Sequence, residues 1–237
     1  MQGLTAQDIL AVWEAGQDQH PVDRALTMLE PALPDSDRAA LAALPVGRRD
    51  SLLFRLREAV VGARLRGMAD CPKCHCRVEF TLKTDTMCTD PPPATEHAVK
   101  LAGRRKRVWF RLPDSFDLAH AAVCRDIKTA RAELARRCML KEAAAPALTE
   151  PEIEQLAAAV EDADPQAETL LELRCPECAN EWPAVLDIAS FFWQELSAMS
   201  RDMLEDVAVL ARAYGWSEGE ILAMSPARRR LYLERLA

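Results

Sequence analysis

The chain has 237 residues and a formal net charge of -7, with 49% hydrophobic and 5% aromatic residues. That length suits one large domain or two small ones, and the abundance of Ala, Leu and Arg against only 8 glycines favours helix over sheet. No apolar run approaches the roughly 18 residues of a membrane span, and the negative charge argues against a general nucleic-acid binder.

The first seventy residues read as four short helices leading into a cysteine knuckle. Thr5 is placed to cap the first, with Asp8 at its third position, Leu4 stapling onto Ile9 and Gly16 as the stop. Pro21 opens the second, whose Val22, Ala25, Leu26 and Leu29 share one face. A third runs from about Asp37 to Leu44. The fourth follows Gly47, with Leu52, Leu53, Leu56 and Val60 on one side and Arg48, Arg49, Arg55 and Arg57 mostly elsewhere. The N-terminus (Met1 to Val12) has no basic segment followed by a long apolar one, so a reducing, cytoplasmic compartment is expected.

Two CPxC knuckles dominate the rest: Cys71-Pro72-Lys73-Cys74 and Cys175-Pro176-Glu177-Cys178. A lone CxxC is weak, and a redox CxxC normally opens a helix after a strand. Here each pair precedes a short apolar run instead: Val78, Phe80 and Leu82 after the first, Trp182, Val185 and, less regularly, Ile188 after the second. Turn then strand is the ribbon arrangement. The favoured reading is one tetrahedral site of Cys71, Cys74, Cys175 and Cys178 holding Zn2+, which leaves no open coordination position and is therefore structural. Unrelated buried turns and disulfides are the alternatives. Of the other cysteines, Cys76 (with His75 beside it) competes as a ligand or is a bystander at a strand start, Cys88 has no assigned role, and Cys124 and Cys138 are expected in the core of one helix.

Between the knuckles, Thr84 to His97 contains Asp90-Pro91-Pro92-Pro93 and reads as a loop. A hairpin follows, with Val99 and Leu101 on one strand, Gly103-Arg104-Arg105-Lys106 at the turn and Val108, Phe110 and Leu112 on the other, ended by Pro113. A long helix is expected from about Ser115 to Leu140, then an Ala/Pro linker at 143–147, a helix capped by Thr149 and Glu152, and a strand with Leu170, Leu171 and Leu173. From Ile188 to Tyr214 the apolar positions Phe192, Leu196, Met199, Met203, Val207, Leu210 and Tyr214 keep a helical spacing, and Gly215 stops the run. Phe191-Phe192-Trp193 reads as core, with a groove for a partner helix as the alternative. Ser217 with Glu220 forms a capping box with Trp216 stapled onto Ile221, and Ser225-Pro226 caps a last helix carrying Arg228, Arg229, Arg230, Tyr232 and Leu233.

Charge is uneven. Residues 142–181 hold eleven acidic residues against one arginine, residues 100–111 hold six basic residues and no acid, and residues 48–77 hold eight bases against three acids. These stretches either complement each other inside the fold or leave a basic face for an acidic partner or phosphates. No P-loop, GxSxG, HExxH or GxGxxG occurs, and no carboxylate pair is marked out by its setting, so an enzyme is not expected.

Several segments together resemble the T-even-type baseplate hub assembly chaperone family of phage tails and phage-tail-like contractile injection systems. They are Leu4-Thr5-Ala6 with Asp23-Arg24-Ala25-Leu26, Leu44-Pro45-Val46-Gly47-Arg48-Arg49-Asp50, Ala69-Asp70 before the first knuckle with Val78-Glu79-Phe80 after it, and Phe110-Arg111-Leu112-Pro113. The second knuckle, Asp187-Ile188-Ala189-Ser190-Phe191-Phe192-Trp193, Ala213-Tyr214-Gly215-Trp216-Ser217-Glu218 and Ser225-Pro226 through Arg229-Arg230 to Tyr232-Leu233 complete the match. In similar sequences a glycine commonly follows the second cysteine of each knuckle; here His75 and Ala179 stand there, which predicts slightly strained turns. The resemblance implies a non-enzymatic role in building a baseplate hub, with hub or other tail proteins as partners. A zinc-ribbon adaptor for nucleic acid is the alternative class. The reading is mainly α with a small β part: a helical module at 1–68, a split four-cysteine ribbon with inserted hairpin and helices at 69–187, and a long helix with two short ones at 188–237. Arg104, Arg105, Arg107, Trp193, Trp216, Arg229 and Tyr232 are the candidate partner contacts.

Overall fold

The computed structural model describes residues 1–84, 87, 95–140 and 148–236. Four helices form at the N-terminus: α1 (Ala6–Gly16), α2 (Pro21–Leu29), α3 (Arg38–Ala42) and α4 (Val46–Val61), with a 3-10 turn at Glu30–Ala32. Local chemistry sets their starts. Thr5 and Asp8 form a capping box, Pro21 occupies the first turn of α2, and the Asp37 carboxylate accepts from the Ala40 N–H, so orphaned first-turn donors find acceptors. Gly16 ends α1, but not through a left-handed turn. A Cβ at residue 16 would lie 2.5 Å from the Trp193 indole, so the glycine makes room for that ring. Arg24 sits 4.8 Å from the centre of the same ring, and its Nε and Nη2 donate to the Gly16 and Gln17 carbonyls.

The first hairpin pairs β1 (Arg64–Asp70) with β2 (Arg77–Lys83), and the register sets Gly67 opposite Phe80, whose ring takes the space a Cβ would need. An insertion follows: β3 (His97–Val99), β4 (Val108–Phe110), α5 (Ser115–Ala122), α6 (Ile127–Cys138), β5 (Met139–Leu140) and α7 (Glu150–Ala163). The second hairpin is β6 (Leu170–Arg174) with β7 (Glu181–Val185), and the chain closes with α8 (Ile188–Tyr214), α9 (Glu218–Leu222) and α10 (Pro226–Leu233). Ile188 opens α8 instead of extending β7, and Val185 points outward at 63% exposure while Trp182 and Ala184 face in. Among the described residues no helix is long and apolar enough to cross a membrane.

The single helix expected from Ser115 to Leu140 is replaced by three elements. α5 starts on an Asp114–Asp117 capping box and stops at Ala122. α6 starts afresh because the Asp126 carboxylate accepts from the Thr129 N–H and hydroxyl; a short acid bonded to its own backbone favours a helix start over a helix interior. Met139 and Leu140 then leave the helix to pair with Phe110 and Trp109, giving a three-stranded sheet in the order β3-β4-β5. Cys138 is buried as expected, but Cys124 lies in the break, half-buried, its thiol on the His120 carbonyl. Cys88, the Asp90 to Pro93 loop and the 143–147 linker lie outside the described residues.

Buried apolar side chains form two main clusters. The larger joins α1, α2, α4 and the first half of α8, and takes in Leu65 of β1 and Leu171 and Leu173 of β6. The smaller belongs to the insertion: Leu101, Val108, Phe110, Leu112, Ala135, Ile153 and Leu156. Two arginines of α4, expected mostly off its apolar side, are buried. Arg57 is 1% exposed. It donates to the Glu195 carboxylate at 2.7 and 2.9 Å and to the Gly62 and Arg64 carbonyls. A guanidinium is tolerated inside only when its donors are met, and here they tie α4 to α8 and to the start of β1. Arg49 pairs with Asp50 and donates to Ser115.

The insertion hangs from the first turn of α4. Pro45 offers no capping side chain. Instead Asp164, 117 residues further on, accepts from the Gly47 N–H at 2.9 Å. Val46 N–H donates to the Pro113 carbonyl, and Pro45 bridges to Asp114. A Cβ on Gly47 would lie 1.9 Å from Asp164 Oδ1. The acidic and basic stretches meet in part: Arg104 pairs with Glu152 at 2.5 Å, Arg131 with Glu150 at 3.6 Å, and Ala102 N–H donates to Gln155.

Two predictions follow from these contacts. Alanine for glycine inside a helix normally gains about 1 kcal/mol, yet Gly47→Ala is expected to lower the urea midpoint because its Cβ strikes the Asp164 carboxylate. In an Asp164→Ala background the same change should cost less, the remaining cost coming from the Ala167 backbone nitrogen 2.9 Å from the added Cβ; an undiminished cost would refute the carboxylate as the main obstacle. The second concerns Glu152, held at about 2 by the hydrogen bond from Arg104 and the Thr149 backbone N–H. A carboxylate lowered in the folded state stabilises above its unfolded value and loses that contribution as pH falls. Stability should therefore drop between pH 4.5, the usual glutamate value, and about 2, and urea midpoints of Glu152→Gln across that window should fall less steeply than those of the unaltered chain.

Candidate metal centre

Each CPxC segment forms the turn of its own hairpin, and the two turns close with the same hydrogen bonds. Cys71 N–H donates to the Cys76 carbonyl and His75 N–H to the Cys71 carbonyl, both at 2.9 Å; Cys175 N–H donates to Asn180 at 2.9 Å and Ala179 N–H to Cys175 at 3.0 Å. The residue after each second cysteine is left-handed, with φ 59° at His75 and 55° at Ala179, the two non-glycine residues of positive φ among those described. A side chain there costs about 1 kcal/mol, so the strain the sequence predicts is present, twice and at equivalent positions.

The turns meet tip to tip. Cys71 Sγ lies 3.7 Å from Cys178 Sγ, Cys74 Sγ lies 3.5 Å from Cys175 Sγ, and all four sulfurs fall within 4.8 Å of one another. A tetrahedral shell with metal–sulfur bonds of about 2.3 Å has edges of about 3.8 Å. These four cysteines can therefore hold a metal ion, and the contacts are far longer than the ~2.05 Å of a disulfide. Cys71 and Cys175 are buried, Cys178 half-buried and Cys74 exposed, with Val78, Trp182 and Cys76 packed around them.

The electrostatics ask for a cation. The Cys178 backbone N–H donates to Cys175 and, outweighing burial, helps hold its thiol down at about 6. Burial alone would raise Cys71, but the N–H groups of Cys74 and Lys73 outweigh it and bring the thiol down. Cys74 receives the Cys76 N–H, yet the neighbouring Cys178 and Cys175 sulfurs and burial push it up to about 12. Sulfurs this close cannot all carry charge unaided; a divalent ion removes the conflict, while the N–H donors stay in place as its outer shell. Cys76 is not one of the four; its thiol contacts the Arg77 carbonyl at 3.7 Å.

The other candidate residues lie in three places. Arg104 turns in to Glu152 at 16% side-chain exposure, while Arg105 and Arg107 are exposed. Trp193 is half-buried over Gly16. Trp216 stacks on Tyr214 at 4.4 Å and stands edge-on to Tyr232, with Arg228 over the latter ring. Arg229 is buried, its Nε 4.0 Å from Asp206. A residue the sequence reading passed over is Trp109, half-exposed on the outward face of β4; the alternation that sends Val108 and Phe110 inward already marks it. Cys138 opens onto a cleft of about 380 Å³ between α6 and α7, but burial pushes its thiol up to about 12, which makes it a poor nucleophile.

The fold and site thus define a mainly helical protein whose two hairpins meet at a four-sulfur metal-binding centre. A family model described as T4 bacteriophage base plate protein matches residues 6–193, and the chain belongs to that family. The matched span runs from α1 through both knuckles into the start of α8, and leaves α9 and α10 beyond it. Neither the curated proteins nor the solved structures contain a match.

Elemental analysis of the purified protein should find one metal ion per chain. Serine at Cys71, Cys74, Cys175 or Cys178 should abolish it and lower the thermal midpoint, whereas Cys76→Ser should keep both. Loss of metal on Cys76→Ser would make that thiol a ligand after all.

Proposed function

We propose that this protein is a non-enzymatic assembly chaperone or component for the baseplate hub of a contractile phage tail or phage-tail-like injection system, with a structural zinc holding its centre. The observation that carries the reading is the baseplate family match running through both knuckles, joined to a four-sulfur cage of tetrahedral dimensions. Four thiolates suit zinc and leave no position for substrate or water. The protein acts in the bacterial cytoplasm during particle assembly, and its partners are hub or other tail proteins, not nucleic acid.

Hub subunits bury large interfaces when assembled and expose them beforehand. A protein that covers such a surface and later yields it needs a rigid frame with docking groups at its rim. The C-terminal hairpin supplies such groups, with Tyr214, Trp216 and Tyr232 packed against one another and Arg228 over the Tyr232 ring.

The test is affinity purification of the tagged chain expressed with its native gene neighbourhood, with mass spectrometry of bound material and of finished particles. Tail protein in the lysate complex and no tag in particles marks a chaperone; tag in particles marks a component. Nucleic acid alone, released by salt as counterion-driven binding is, would refute the reading. Removal of residues 217–237 is expected to abolish tail-protein binding and leave zinc content unchanged; undiminished binding would exclude the C-terminal hairpin as the docking element.

A further inference from the structure

We infer that the loop between β3 and β4, with the outward face of β4, is a docking site for a carboxylate-rich surface of another tail protein, anchored by Trp109; the inference rests on the tail-assembly reading above. The first observation is a contrast in charge pairing. Across the insertion, Arg104, Arg111, Arg125, Arg131, Arg136 and Arg137 each meet a carboxylate. Among the described residues Arg105 and Arg107 meet none, although the acidic residues of α7 lie in the same lobe, and Lys106 between them is exposed as well.

The second observation is that the loop is held in place. Lys100 Nζ donates to the Arg104 and Arg105 carbonyls, Ala102 N–H donates to Gln155, and Arg104 pairs with Glu152. The free cations thus ride on a fixed backbone, and ordering the loop on binding costs little entropy. The third is Trp109, 50% exposed on the middle strand of the sheet, between Ala98 and Leu140 in the register. Val108 and Phe110, each 2% exposed, fix the strand beneath it. Tryptophan flanked by arginine is the composition of an interface anchor.

Charge complementarity identifies the occupant as acidic with an apolar group to cover the indole. A nucleic-acid backbone fits less well. It needs a track of cations, whereas this cluster is short and the neighbouring α7 exposes Glu150, Glu154, Glu161 and Asp162.

The test uses the full zinc-loaded chain and the tail proteins encoded beside it, each captured partner being identified and its affinity measured as a purified pair. Arg105→Glu/Arg107→Glu and, separately, Trp109→Ala should each weaken that pair at least tenfold with zinc content and circular dichroism unchanged. Lysine in place of the partner's facing acids should restore binding to the charge-reversed chain. Unchanged affinity in both variants overturns the site and leaves the tail-assembly reading standing; no tail protein bound by the unaltered chain overturns both. Loss confined to binding of single-stranded DNA, or conversion of a dimer to a monomer with tail-protein affinity intact, also overturns it.

Discussion

Everything in this molecule is arranged around the approach of two knuckles. Among the described residues β1–β2 and β6–β7 are separate two-stranded sheets with no strand pairing between them, and an isolated hairpin is marginal in water. What joins their tips is the four-sulfur cluster. What joins their bases is the main core, into which Leu65, Leu171 and Leu173 are inserted. Because β1 follows α4 and β7 leads into α8, the cage sets where α4 ends relative to where α8 begins. The buried Arg57–Glu195 pair fixes the same relation from the helical side. Breaking either partner of such a pair strands a charge, so the two devices constrain one geometry from opposite ends.

The insertion leaves the body between β2 and β6, and its attachment explains a stretch of sequence that has no chemistry of its own. In Leu44-Pro45-Val46-Gly47-Arg48-Arg49-Asp50 four of the seven positions have a mechanical task. Pro45 bridges to Asp114, Val46 donates to Pro113, Gly47 admits the Asp164 carboxylate, and Arg49 reaches Ser115. The motif is a joint. It holds a lobe with a separate apolar core by backbone and buried polar contacts, which fix direction through geometry more than through apolar area.

What the sequence revealed and what it hid divide by range. The capping boxes at Thr5, Thr149 and Ser217, the left-handed stop at Gly215 and the twin knuckles are decided within a few residues, and all are present. The left-handed residues after each knuckle were legible because the glycine expected there was missing. Contacts made across the chain were not. Arg57 looks like any solvated helix arginine until Glu195, 138 residues away, is brought beside it. Asp164 looks like one more acid in an acidic stretch until it caps α4. The break between α5 and α6 was lost for another reason: a single helix was expected across 115–140, and the Thr129 N–H and hydroxyl bonding to the Asp126 carboxylate start a new one inside it.

The distribution of apolar contacts shows what a metal in the cage would do. Most of the largest buried side chains of the main core, among them Phe54, Leu53, Leu56, Phe192 and Ile188, come from helices, with Leu65 of β1 the strand contribution. They pack whether or not the sulfurs are bridged. Among the described residues the apolar cluster at the knuckle tips is Val78, Trp182 and the cysteines, and their turns carry the left-handed strain of His75 and Ala179. Helical burial therefore holds the body, and an ion in the cage would hold the hairpins to each other. Since β2 and β6 are the strands from which the insertion departs and to which it returns, the same ion would also fix the roots of that lobe. A metal so placed contributes position more than bulk stability, and position is what a surface built to meet another subunit requires.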